Sequence, residues 1–320
     1  MEPWSLNTLL ICFGGGIFGA ALGGLWAFVL CGFIVLGGCL VVLAGGGDFI
    51  LLQVGLGPVF GPHIGFLGGV IAVSYSAGVR KNLPSATGKD ILSPLVGTSW
   101  DVLLVGGLAA LAAHSLLQVL VQVPVIKSFD CIALSIVLVT FVARLLFHQE
   151  MPWGNTASIK EHGWLGTSNY AISWVPWMSP PSRLLVVGFG AGILSAALAM
   201  GTKTVLDPMA ADGQISGAAA FVVPLILGWA LAAICLAGLN LATGEIQKFP
   251  VWHCMAILSA LAYLHFGSLL IAGLVGIAAA FFQELCARMF WNHGSNHLDP
   301  PAAAIALGTF ILNTIHNSMM

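Results

Sequence analysis

Long apolar runs separated by short polar stretches set the pattern of this chain. Residues 7–45 are almost entirely apolar or glycine. Such a run is about twice the roughly 20 residues that one helix needs to cross the hydrocarbon layer, so it predicts two helices folded back near residues 23–27. Residues 49–62 (FILLQVGLGPVFGP) are apolar but short, and Gly-Pro steps interrupt them. That pattern predicts a segment that enters and leaves the bilayer on one side. Further spans are predicted over 63–79, 93–121, 129–148, 183–202, 216–242, 266–289 and 299–318, with a second short apolar piece at 250–264 (PVWHCMAILSALAYL). The expectation is an all-α polytopic membrane protein of about nine to eleven transmembrane helices.

The longest polar stretch divides the chain into a first membrane repeat with a linking span (1–148), a linker (149–182) and a second repeat (183–320). The linker holds Trp153, Trp164, Trp174 and Trp177 among prolines, and indole rings favour the headgroup layer. A short stretch with Lys203, Asp207 and Asp212 (TKTVLDPMAADGQ, 202–214) reads as a solvated loop.

The halves echo each other in order. LLICFGGGIFGAALGG (9–24) resembles LLVVGFGAGILSAALAMG (184–201), and LAGGGD (43–48) matches LATGEI (241–246). PHIGFLGGVIA (62–72) stands opposite LHFGSLLIAGLVGIA (264–278), and GKDILSPLVG (88–97) opposite SNHLDPPAAAIALG (295–308). If the short segments re-enter, the halves are inverted; if both cross, the halves are parallel, which basic-residue counting slightly favours. The inverted reading is preferred, because interrupted short segments in matching positions point to the site of a repeat transporter.

Composition agrees with a membrane setting. Hydrophobic residues make up 58% and charged residues 7%, against about a quarter charged in soluble domains, which excludes a water-soluble fold. A net charge of -2 excludes a nucleic-acid binder, which needs a basic face. No GKS or GKT occurs, so there is no Walker A loop, and Gly14, Gly16 and Gly19 lack the strand context of a dinucleotide site. The cysteines form no CxxC pair and read as packing residues. The start, MEPWSLNTLL, has no basic n-region, which predicts that no signal peptide is removed.

With so few charges, acids and histidines at the edges of apolar runs are the functional candidates. Asp48 lies opposite Glu245, each after glycines that permit unwound backbone. His63 and His265 open matching spans, and Asp90 and Asp299 stand just before prolines at span starts. Asp101 falls inside a run long enough to span. Carboxylates and imidazoles of this kind can bind a cation, relay a proton or accept hydrogen bonds from a polar solute. An Asp at a helix start also serves as an N-cap, and a histidine as a satisfied core group. His293, His297 and Asp299 form the one dense set of metal-ligand types, which a membrane-embedded metal enzyme would require.

The layout of two full spans, a short membrane segment and further spans, repeated once, is similar to that of urea transporters and other channel-like carriers built from inverted halves. The asparagine-proline signature of the urea transporters is absent, so the resemblance implies neither residue roles nor a substrate.

The expected function is therefore a transporter or channel that moves a small polar solute or ion through a site between two repeats. It is expected to be no enzyme, to reside in a bacterial inner (plasma) membrane, and to need no cofactor beyond a coupling cation or proton. Its partners are the lipid bilayer, the solute and, through its Gly and Ala faces, further copies in a homo-oligomer. A metal-dependent membrane enzyme and a structural assembly subunit are the alternatives.

Overall fold

The computed structural model describes residues 1–166, 172–239, 241 and 249–320. Among these the chain is helical, with no strand. The helices are α1 (Leu6–Leu22), α2 (Gly24–Leu43), α3 (Gly65–Tyr75), α4 (Trp100–Leu120), α5 (Cys131–His148), α6 (Thr156–His162), α7 (Pro181–Ala211), α8 (Gly217–Cys235), α9 (His253–Phe266), α10 (Leu269–Cys286) and α11 (Pro300–Met319). Among the described residues, six helical stretches are long and apolar enough to cross a membrane: α2, α4, α5, α7, α8, and α10 with its extension to Trp291. Leu6–Leu22 and His253–Phe266 are apolar but shorter. The chain is an all-helical integral membrane protein.

The hairpin predicted over 7–45 forms, and its turn is a single glycine, Gly23, at φ 87. An L side chain is strained there. Elsewhere the expected spans shift: α7 is longer than 183–202 and α4 shorter than 93–121. Residues 93–99 are irregular and α4 starts at Trp100, while 49–62 forms one π-helical piece, Ile50–Gly55, followed by turns. The other short piece, 250–264, is different in kind: it makes the regular helix α9. Lys203 and Asp207 do not lie in a loop but extend α7, joined by an ion pair of 2.7 Å one helical turn apart.

Run length matches two of these stretches, 63–79 against continuous helical turns over 65–80 and 250–264 against α9, but it does not show that protein sheathes both. Ten consecutive residues of α3, Gly65 to Ser74, are buried, as are the first ten of α9, His253 to Ala262. A helix packed on all sides is apolar all round whatever its length. Each lies in an equivalent nest: α3 between α1 and α4, α9 between α7 and α10. Thus α9 is the counterpart of α3, and the expected match of 62–72 with 264–278 is displaced by one helix.

The match of 9–24 with 184–201 reappears in packing detail. A Cβ at Gly107 of α4 would meet the Phe13 ring at 2.7 Å and Ile17 at 2.9 Å, and one at Gly273 of α10 would meet Phe189 at 2.7 Å and Ile193 at 3.0 Å. Gly16 likewise sits 2.5 Å, measured from its added Cβ, from Gly106 O, and Gly192 2.8 Å from Ala272 O. Lipid gives no hydrophobic drive between helices, so such close backbone contact is what holds these pairs together.

Substitution at these seams has a defined expectation. Gly16→Val and Gly192→Val should each destabilise the detergent-solubilised protein by about 1–3 kcal/mol through overpacking. Nothing lies within 4 Å of a Cβ at Gly14 or Gly190, so alanine there should leave the unfolding temperature unchanged or raise it. Equal effects at all four positions would refute the seam.

Candidate functional site

Six helices surround a cavity of about 210 Å³. Phe28 of α2, Pro62 and Phe66 at the start of α3, and Asp130, Ala133 and Ile136 of α5 form one wall. Val222, Ile226 and Trp229 of α8, His253 and Ile257 of α9, and Asp299, Ala302 and Ile305 of α11 form the other. A smaller chamber adjoins it, lined by Leu25, Ile91, Trp174, Leu236, Leu239, Val251 and His297. Phe28, Phe66, His253 and Asp299 border both spaces and make the waist between them.

The direction of each helix past the waist follows from these linings. Helix α8 passes the large cavity at 222–229 before reaching the small chamber at 236–239, whereas α2 meets the small chamber at Leu25 before the large cavity at Phe28. In the same way α9 passes from Val251 at the small chamber to Ile257 at the large cavity, opposite to α3, which passes from Pro62 to Phe66. Helices α5 and α11 are also opposed, each end bound to the segment before the other's start. Arg144 of α5 grips residues 290–296, and Asn313 of α11 donates through Nδ2 to Ser128 O at 2.8 Å.

Both acids in the cavity wall are N-caps. Asp130 Oδ1 accepts from Ala133 N at 2.9 Å, and Asp299 Oδ2 from Ala302 N at 2.9 Å. Such an acid satisfies an orphan N–H and is itself stabilised by the positive end of the helix dipole. The second oxygen of Asp299 meets His297. Trp291 Nε1–H can only donate, so His297 Nδ1 accepts it at 3.0 Å; the ring proton is then on Nε2, which points to Asp299 Oδ1 at 3.3 Å. His253 is 4% exposed and its Nδ1 has no hydrogen-bond partner. Phe28 gathers the rings around the waist: Phe66 at 5.2 Å, Trp229 at 5.1 Å and His253 at 5.1 Å, all steeply inclined to it.

The loop that carries His297 and Asp299 is fixed by Arg144, a fully buried guanidinium. Its Nε donates to Asn296 Oδ1 at 2.6 Å, Nη2 to Asn296 O at 3.0 Å, and Nη1 to Phe290 O at 2.5 Å and to Pro152 O. Glu150 adds two bonds to Ser295, from its N at 2.9 Å and its Oγ at 2.7 Å. Lys89, from the loop before α4, donates to Asn292 O at 3.0 Å and lies 4.0 Å from the centre of the Trp291 ring.

Of the acids and histidines singled out in the sequence, those among the described residues that border these spaces are Asp299 and His297. Asp48 accepts from Ser216 Oγ at 2.6 Å at the start of α8, away from the cavity. Glu245 lies outside the described residues. His63 is buried beside His114, their ring centres 6.3 Å apart, and neither of its nitrogens has a partner. His265 donates to Asn313 Oδ1 at 2.9 Å and stacks on His316 at 4.1 Å. Asp90 accepts from the backbone of Leu92 and Ser93 in its own turn. Asp101 pairs with Arg80 and accepts from Tyr75 Oη at 3.1 Å, a structural cluster. The suggested metal set does not converge: His293 donates to Trp164 O at 3.1 Å and accepts from Ser158 Oγ at 2.9 Å, using both its nitrogens. Among the described residues no group of three metal-ligand types stands together.

Asp130 and His253 were missed. Asp130 had a signal, since Asp130-Cys131-Ile132-Ala133 opens an apolar run just as Asp299-Pro300-Pro301-Ala302 does. His253 sits inside the short apolar piece 250–264, where nothing in the sequence sets it apart.

One family model, described as a family of unknown function (DUF7973), matches residues 1–170 and again 165–318. The chain belongs to DUF7973. No curated protein and no solved structure matches it. The two matches to this DUF7973 protein divide it in the linker that holds α6.

Two consequences can be measured. Burial, with Arg144 nearby, pushes the Lys89 ammonium down to about 7 from its ordinary 10.5, although Glu150 pulls it up. The unfolded chain then binds more protons than the folded one between these values, so this group makes stability rise as pH rises from about 7 to about 10.5. Unfolding followed across that range should show a smaller rise for Lys89→Met than for the native protein. Arg144→Lys provides one point charge for acceptors that need a planar fork. It should cost on the order of 3 kcal/mol, since each buried acceptor left unpaired costs about 1–3. An unfolding temperature within a degree or so of the native value would contradict the anchoring role.

Proposed function

We propose that this DUF7973 protein is a membrane transporter or channel that moves a small polar solute or ion through the space between two inverted repeats. The observation that carries this reading is the cavity with its adjoining chamber, walled by matching helices of both halves. The family model's two matches, the equivalent glycine seams and the opposed courses of α2 with α8, α3 with α9 and α5 with α11 all support the repeat. Inverted repeats place a site where they meet, and rocking of one half against the other changes which side it faces.

The waist gives this reading its mechanism. The large cavity has room for a small solute, while the space beyond Phe28, Phe66, His253 and Asp299, about 20 Å³, has room for about one water until side chains move. Aromatic side chains close such a passage without leaving buried polar groups unpaired, and small ring rotations would open it. The histidine and carboxylate at the same level supply the hydrogen-bonding groups that a polar solute exchanges for water.

The test is accessibility from each side. Single cysteines at Val222, in the large cavity, and Ile91, in the small chamber, are introduced after replacement of the native cysteines and treated with a membrane-impermeant thiol reagent in sealed vesicles. The expected result is labelling of Val222→Cys from one side and of Ile91→Cys from the other. If neither reacts from either side, the core is a dry bundle and the assembly-subunit reading replaces this one.

A further inference from the structure

We infer that the space at the Asp299 waist binds a small organic cation, an amine or quaternary ammonium with a short apolar body. The inference deepens the transport reading, on which it rests for its purpose; its chemistry comes from the walls.

Charge comes first. Among the described residues, the charged side chains lining the large cavity are Asp130 and Asp299, with no lysine or arginine beside them. An anion entering there would meet like charge with no partner, at several kcal/mol in a low-dielectric space.

Apolar lining comes second. Apart from these acids and His253, the walls are hydrocarbon and aromatic ring. A bare inorganic cation such as Mg²⁺ or Ca²⁺ requires about six to eight oxygen ligands, which such walls do not offer. An alkylated ammonium requires none. Its charge is spread over methyl or methylene groups, and it is held by aromatic faces and one counter-charge. Phe28, Phe66 and Trp229 supply the rings. Their mutual inclinations of 58° and 77° about Phe28 mean that no ring covers another face to face.

Two further features fit. His253 is nine-tenths buried in the wall with an Nδ1 that has no partner and is itself enclosed, so a ligand N–H or hydroxyl reaches it only with a turn of the ring. The volume of about 210 Å³ falls below the roughly 300–1,000 Å³ of drug-sized sites, which restricts the ligand to a few heavy atoms. Asp299 is the counter-charge at the waist, and Asp130, in the wall formed by the start of α5, makes the large cavity attractive to cations along its length.

The experiment compares two probes of one shape. Choline and 3,3-dimethylbutan-1-ol differ in having nitrogen or carbon at the branched centre, and so in charge alone. Calorimetric titration of the purified full-length protein should detect choline and not the alcohol. Asp299→Asn should weaken choline about tenfold or more; Asn still caps α11 but turns an amide NH2 toward His297 Nε2–H, so the unfolding temperature of this variant is measured beside its binding. Trp229→Leu should weaken choline as well. Absence of choline binding, equal binding of the two probes, or undiminished binding by a folded Asp299→Asn protein overturns the inference. If that variant fails to fold, the two-probe comparison on the native protein decides. Choline that binds but never enters reconstituted vesicles would remove the transport reading and leave the cation site; labelled chambers without choline binding would do the reverse.

Discussion

The Arg144 guanidinium is the interaction on which the rest of this structure depends. It stands one turn before the end of α5 in the first half, yet every bond found for it beyond Pro152 goes to residues 290–296 of the second. A charge this deeply buried is costly unless its donors are paired, so the loop before α11 has one low-energy position. That position sets His297, hence Asp299, hence the start of α11 and the waist. The related contact at the other end is neutral, a hydrogen bond from Asn313 to Ser128 O beside the stacked rings of Phe129 and Phe310. The two halves therefore share a plan but not a strength, with the firmer clamp next to the waist.

How much of this was legible in the sequence depends on what each residue faces. The hairpin at Gly23 and the acid at Asp299 were readable because both are local: a glycine where the chain must reverse, and an Asp before Pro300 at the head of an apolar run. The glycine seam was readable as a repeated string, 9–24 against 184–201, before its partners in α4 and α10 were known. What stayed hidden was the surroundings of each run. Helices α3 and α9 are sheathed by protein, and a sequence does not say whether an apolar residue faces lipid or another helix. The same ambiguity hid His253, which resembles any residue of an apolar segment until α2 and α8 are placed beside it. Asp48, Asp90 and Asp101 were chosen for standing next to membrane runs, and the structure gives each an ordinary local partner instead.

Placing acids at helix starts resolves a conflict inherent in any membrane cation site. A carboxylate is needed to attract a cation, but inside a bilayer an unpaired carboxylate is expensive, and pairing it with arginine or lysine would cancel the attraction. The N-cap offers a third arrangement. Backbone N–H groups and the helix dipole stabilise the acid with partial charges that belong to the scaffold, so no mobile cationic side chain competes with a ligand. Asp130 and Asp299 are both held this way, and Asp299 gains a further neutral donor from His297, whose tautomer is fixed by Trp291. The sequence Trp291, His297, Asp299 is thus a chain of orientation that ends at the waist, anchored by Arg144 a few residues away. The cation that this region requires for its own stability is spent on carbonyls of the loop, outside the cavity, and the charge inside is left for what enters.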